Sequence, residues 1–224
     1  MDLSNYLKDI KESNCHECGI REISEIVLLP PPSRISGIII SRDPTVDFLH
    51  LYKYLEDKDN DYQRYMLFAH AIPVSLLVKI LIFLKKSSPK KVTNEIETRL
   101  FDIILTQTYW THLHKCITDS TNPSLKYKTP HAQSCANRWL GKELRYAIDN
   151  KTKFIITLGN DVQAWIDKYT RNKEISFDIL NLPHPSGQNN PLWYRSEKAK
   201  YKSKIDTMNI VINRLLTLCK SIHG

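Results

Sequence analysis

Residues 36–45 read SGIIISRDPT. Three consecutive isoleucines, with PPPS before them (30–33) and RDP after them (42–44), mark a short β-branched run. The run does not alternate apolar with polar, so it predicts a strand covered on both faces, as in parallel sheets. Three more runs of the same kind follow: one within FDIILTQTYWTHL (101–113), then KFIITLG (153–159) and SFDILNLP (176–183).

The stretches between them carry helical spacing. VSLLVKILIFLKK (74–86) has a wide apolar face. SCANRWLGKELRYAIDN (134–150) offers Ser134 as an N-cap, and GNDVQAWIDKYT (159–170) offers Asn160 or Asp161. Residues 193–222 read as one long helix. The acidic EDKDND (56–61) and the basic KKSSPKK (85–91) read as exposed loops. The alternation predicts a single α/β domain over residues 1–224. Its architecture would be a three-layer α/β/α sandwich around a central, mainly parallel four-stranded sheet.

Open parallel sheets gather function at the carboxyl ends of their strands. Four polar clusters fall there: SRDPT (41–45), THLHKC (111–116), GND (159–161) and HPSGQNN (184–190).

The chain has 224 residues, 42% apolar and 25% charged, as expected of a soluble globular protein. No apolar leader opens it, and its longest apolar run (71–84) contains Lys79 and is too short to span a bilayer. These features predict an intracellular, cytoplasmic protein without a membrane. The net charge of +8 lies entirely in the second half: residues 1–112 carry 14 Lys/Arg against 15 Asp/Glu, and residues 113–224 carry 18 against 9. A basic half suits a polyanionic partner, and a solvated lysine-rich face is the plainer reading.

Five cysteines are present, four of them in the order Cys15-x2-Cys18, Cys116, Cys135. In a reducing compartment paired cysteines read as metal ligands or redox groups sooner than as structural disulfides. Four thiolates suit a tetrahedral zinc or a [4Fe–4S] cluster. One close pair and two distant singles fit a structural cluster that pins the N-terminus, with zinc as the alternative and ordinary buried cysteines as the third reading. Cys219 reads as a small buried apolar group.

Taken together, these residues resemble the uracil-DNA glycosylase superfamily, and the cysteine order is similar to its iron–sulfur (family four) branch. SRDPT stands where the superfamily has its water-activating motif (GQDPY, GEAPG or GxNPG). TYWTHLHKC (108–116) matches the strand of the type YITNVVKC, FIITLGNDVQAWI (154–166) matches the following strand–helix unit, and HPS (184–186) the second catalytic motif. The resemblance spans roughly residues 15–215. It implies a monofunctional glycosylase-like fold and activity: hydrolysis of the N-glycosidic bond of a flipped-out deaminated base, uracil first, leaving an abasic site. It further implies a structural [4Fe–4S] cluster on Cys15, Cys18, Cys116 and Cys135, and a monomer whose partner is DNA containing a damaged base.

Under that resemblance Asp43 orients water at the sugar, where a helix N-cap or Asx turn is its plain structural role. His184 donates to the leaving base. Base recognition falls to His112, Ser41, Arg42 and Thr45, and DNA contact to Ser186, Gly187, Gln188 and Asn189, with Gln188, Pro191 or Leu192 as a wedge. Phe48, Tyr52 and Tyr54 are the candidates to stack on the base. Three positions depart from the family: His112 replaces the Asn that reads uracil, Thr45 the Tyr that blocks a thymine methyl, and Ser41 the opening Gly. A catalytically altered member that only binds damaged or single-stranded DNA is therefore the alternative. An iron–sulfur nuclease is disfavoured, because no carboxylates cluster at metal-binding spacing.

Overall fold

The structure is a computed structural model that describes residues 2–13, 15, 20, 24–87, 92–149, 151–171 and 173–222. Four strands form one all-parallel sheet in the order β2-β1-β3-β4: β1 (Gly37–Ser41), β2 (Thr108–His112), β3 (Phe154–Leu158) and β4 (Asp178–Leu182). The register pairs Ile39 with Trp110 and Ile156, and Ile156 with Leu180, so these four side chains share one face. Ile38, Ile40, Tyr109 and Ile155 fill the opposite face. β1, β2 and β3 bury both faces along their whole length, as their unalternating sequences imply, whereas the edge strand β4 buries Leu180 and Leu182 and leaves Asp178, Ile179 and Asn181 half-buried.

On the first face pack α2 (Val46–Leu55), α3 (Asn60–Ala69), α4 (Ile72–Ser87), α5 (Asn94–Thr106), the short α9 (Asn190–Trp193) and α10 (Lys202–Ile222). On the second lie α1 (Leu3–Glu12), α6 (Thr129–Cys135), α7 (Gly141–Ala147) and α8 (Asn160–Thr170). The three-layer α/β/α expectation holds. No single helix among the described residues is long and apolar enough to cross a membrane.

Gly37 opens β1 because nothing larger fits: a Cβ there would stand 2.2 Å from the buried Phe154 ring. Lys79, the lone charge in the apolar run, leaves the core to donate to Asn190 Oδ1 at 2.6 Å, tying α4 to α9.

Local expectations change in four places. The helix expected over 134–150 begins at Thr129, where Pro130 stands in the first turn, and a π-helical turn over Ala136–Leu140 joins α6 to α7. Ser134 is thus inside a helix, not its cap. The cap of α8 is Gly159 at φ +92°, a left-handed backbone that glycine adopts without strain, and not Asn160 or Asp161. The long helix expected over 193–222 starts only at Lys202. Arg195 turns left-handed (φ 54°) after α9, and the chain passes through a 3-10 turn at Ala199–Tyr201 first. The acidic stretch 56–61 is partly helical, because Asp59 caps α3 by accepting from the N–H groups of Asp61 and Tyr62.

Candidate active site

The chain leaves β1 towards β2 on one side of the sheet and returns across it to β3 on the other. Neighbouring β1 and β3 therefore form a topological switch point, where the loops beyond the carboxyl ends diverge. A cleft of about 1370 Å³ opens there. Its lining includes Arg42, Asp43 and Thr45 after β1, His112 at the end of β2, Gly159 after β3 and His184 after β4. All four strand ends that carry polar clusters meet at this one opening.

Asp43 is held on both carboxylate oxygens. Arg42 Nε–H donates to Oδ1, and the Thr118 hydroxyl donates to Oδ2. The side chain is only 3% exposed, and it caps no helix; the N-cap of α2 is Thr45, whose hydroxyl makes no capping bond. Backbone bonds fix the loop: Leu113 and His114 N–H donate to the Ser41 and Arg42 carbonyls at 2.9 Å, and Thr118 N–H to Pro44 O at 3.0 Å. The strand pairing of β1 with β2 in effect continues past both strands and sets the carboxylate in place.

The Arg42 guanidinium carbon lies over the Tyr127 ring, 4.3 Å from its centroid. Tyr127 is itself anchored, its hydroxyl donating to Asp161 Oδ2 at 2.9 Å, an oxygen that also accepts from the Thr129 hydroxyl at 3.1 Å.

His184 sits in a turn that determines its tautomer. Ser186 N–H donates to Nδ1 at 3.2 Å, so Nδ1 carries the lone pair and the ring proton of the neutral imidazole resides on Nε2. The His184 carbonyl accepts from Asn189 Nδ2 at 2.9 Å and from Trp193 Nε1 at 3.3 Å, which fastens the turn to α9. Burial and then the Arg42 charge push the imidazole below its ordinary pKa, against the pull of Asp43.

His112 is buried at the cleft floor, its ring 5.0 Å from that of Trp110. Burial, then the charges of Lys115 and His114, hold it well below the usual histidine range, so it is neutral. Ser41 is different: its Oγ is buried and accepts from Trp110 Nε1 at 2.9 Å, supporting the floor without lining the cleft.

Among the three aromatic candidates, Phe48 lines the cleft, packed edge-on to Trp110 at 5.3 Å. Tyr52 is buried with its hydroxyl on Leu28 O, and Tyr54 is 73% exposed outside the cleft. In the loop after β4, Ser186, Gln188 and Asn189 line the cleft and Gly187 is exposed beside them. Gln188 is exposed at the rim, whereas Leu192 lines the cleft from the core side and is only 8% exposed.

Cys15, Cys116 and Cys135 are all buried, and Cys18 lies outside the described residues. Trp139 Nε1–H donates to Cys15 Sγ and Lys115 N–H to Cys135 Sγ, each at 3.4 Å. Such N–H donors suit thiolate ligands. Among the described residues, no three His, Cys, Asp or Glu side chains form a metal-holding group. The donor chemistry fits a metal or cluster; a closed ligand set is not made by the described residues alone.

Thr118, Tyr127 and Asp161, which organise the carboxylate and its arginine, escaped the sequence reading. Only the polar GND after β3 hinted at Asp161, and it suggested a cap instead. No family model matches this chain, and neither a curated protein nor a solved structure matches it.

Proposed function

We propose that this chain is a DNA glycosylase that hydrolyses the N-glycosidic bond of a flipped-out deaminated base, in the manner of the uracil-DNA glycosylases it resembles. The observation that carries the reading is the pairing of Asp43 and His184 across one cleft, a fixed carboxylate facing a neutral imidazole that presents Nε2–H. The cleft volume exceeds the roughly 300–1,000 Å³ of a small-molecule pocket, which suits a base together with part of its strand.

In this mechanism the nucleotide leaves the stack and its base lies against Phe48. As the glycosidic bond stretches, positive charge grows on the sugar and negative charge on the base. The Asp43 carboxylate stabilises the sugar cation and orients water towards C1′, while His184 Nε2–H hydrogen-bonds the base oxygen that gains charge. Water adds its hydroxyl to C1′, and its remaining proton passes by way of Asp43 to solvent. The base departs as an anion and takes a proton up, leaving an abasic site.

One observation favours a second reading, a member that binds damaged DNA without turnover. His112 is a buried neutral imidazole, which cannot offer one base edge the paired donor and acceptor of an amide. Labelled strands carrying uracil, hypoxanthine, xanthine or a thymine mismatch separate the readings. Release of a free base with an alkali-labile site is expected; retention of the strand with every base intact would move the protein to the second reading.

We also propose that Cys15, Cys18, Cys116 and Cys135 hold a structural [4Fe–4S] cluster, with zinc as the alternative occupant. The burial of three of these thiols and the N–H donors on two of them support it. Iron and sulfide in the purified protein, with broad visible absorption lost in Cys116→Ser, is the expected result. Stoichiometric zinc without colour would assign the site to zinc.

A further inference from the structure

The resemblance gives Arg42 only a share in base recognition, yet its side chain is bonded directly to the Asp43 carboxylate. It is the first residue beyond β1, its side chain is 52% exposed, and it lines the cleft. A guanidinium carries five N–H donors in a planar fork. Here one of them, on Nε, is committed to Asp43 Oδ1. The guanidinium carbon also lies over the Tyr127 ring, 4.3 Å from its centroid, and Asp161 accepts the Tyr127 hydroxyl at 2.9 Å, so both groups are tethered. Among the described residues, the terminal Nη groups make no hydrogen bond or ion pair. Two donor-bearing nitrogens are therefore held at the cleft beside the carboxylate, pre-oriented and available to an acceptor.

We propose that Arg42 divides its fork between the protein and the substrate, with Nε–H on Asp43 and the Nη groups on a backbone phosphate of the strand that carries the target base. The inference rests on the glycosylase reading and deepens it. Phosphate is the acceptor that matches a planar pair of N–H groups. A strand threaded past the cleft places phosphates on either side of the sugar that Asp43 must address. One side chain would then tie the position of the strand to the orientation of the carboxylate. It would also answer an electrostatic problem, because a cation beside Asp43 in the free protein offsets the negative charge needed at the sugar. A phosphate on the Nη groups takes up that cation's charge and leaves Asp43 effectively anionic towards C1′.

Lysine and glutamine replacements separate the two halves of the fork. Lysine keeps a point charge for the phosphate but cannot hold Asp43 at the same time, and glutamine keeps neither charge nor fork. Binding of a uracil-containing oligonucleotide is measured over a salt series, and base release under single turnover, for the parent, Arg42→Lys and Arg42→Gln, each checked for parental melting. Arg42→Gln is expected to flatten the salt dependence by about one counterion. Arg42→Lys is expected to keep the parental salt slope while base release falls by about 100-fold, the scale of a misplaced catalytic group. A parental salt slope in Arg42→Gln would overturn the phosphate contact, and a parental rate in Arg42→Lys would overturn the divided fork. If the parent binds the strand without releasing base, the glycosylase reading fails, and the salt slopes alone decide the phosphate contact. A parent that does not bind the strand overturns both.

Discussion

The Ser186 backbone N–H donates to His184 Nδ1 at 3.2 Å, and this one bond decides which ring nitrogen carries a proton into the cleft. A side chain two residues from its own partner is thereby set as a neutral donor through Nε2. Asparagine at 184 preserves an amide donor but not the tautomer lock. Base release by His184→Asn is expected to fall by roughly 100-fold, the scale for losing one preorganised donor to a developing anion, with little change in strand binding. Single-turnover release and equilibrium binding on the same oligonucleotide check this.

Acid should destabilise the fold through the same histidines. Both His112 and His184 have pKa values below the ordinary 6.5 when folded. Below that value the unfolded chain binds protons that the folded chain refuses, so stability is present above about 6.5 and is lost as the pH falls further towards the folded values. Melting temperature measured from pH 8 to pH 5 should decline below 6.5. The decline should be shallower in His112→Phe, because that residue is the more deeply buried of the two.

Thr118 holds Asp43 from the far side of the loop after β2. Thr118→Val keeps the shape and removes the donor. A net hydrogen bond of about 1 kcal/mol corresponds to roughly fivefold to tenfold in rate if the bond serves the transition state. Base release should drop by that factor with binding unchanged, while Thr118→Ser should restore it.

Beneath the cleft, Lys115 and Glu143 form a fully buried ion pair at 2.5 Å, their side chains 1% and 0% exposed. Glu143 Oε1 also accepts from the Tyr109 hydroxyl at 2.6 Å and the Thr111 hydroxyl at 2.5 Å. Removing one partner strands the other charge, so Glu143→Leu alone should cost about 3–5 kcal/mol. The double replacement Lys115→Met with Glu143→Leu should recover much of that loss in a denaturant titration.

At the start of β1, Gly37→Ala drives a methyl group into the Phe154 ring. Overpacking of this kind costs about 1–3 kcal/mol. Phe154→Leu in the same chain opens space, and the double variant should be more stable than the two single losses added together, as chemical denaturation can show.

The sheet was legible because its strands are short apolar runs with polar residues at their carboxyl ends, and residues 36–45 contain both signals. The meeting of Asp43, His112 and His184 followed from that placement. What escaped notice was contact between residues far apart in the chain. Thr118, Tyr127 and Asp161 look like ordinary loop and helix residues until the segment after β2 folds over the loop after β1. Lys115 and Glu143 look like solvated charges, and only tertiary packing buries them together. Of the wedge candidates Gln188, Pro191 and Leu192, the sequence does not show that Trp193 Nε1–H bonds the His184 carbonyl and that α9 packs into the core, leaving Leu192 largely buried. The long C-terminal helix was overextended because its residues favour helix throughout, and the left-handed turn at Arg195 leaves no pattern in sequence.

The central claim is that Asp43 drives base release. The most direct measurement is single-turnover release of uracil from a labelled strand by the parent protein and by Asp43→Asn, at matched melting temperature and matched strand binding. The parent should yield an abasic product, and Asp43→Asn a rate lower by roughly 100-fold to 1,000-fold. Equal rates from the two proteins would contradict it.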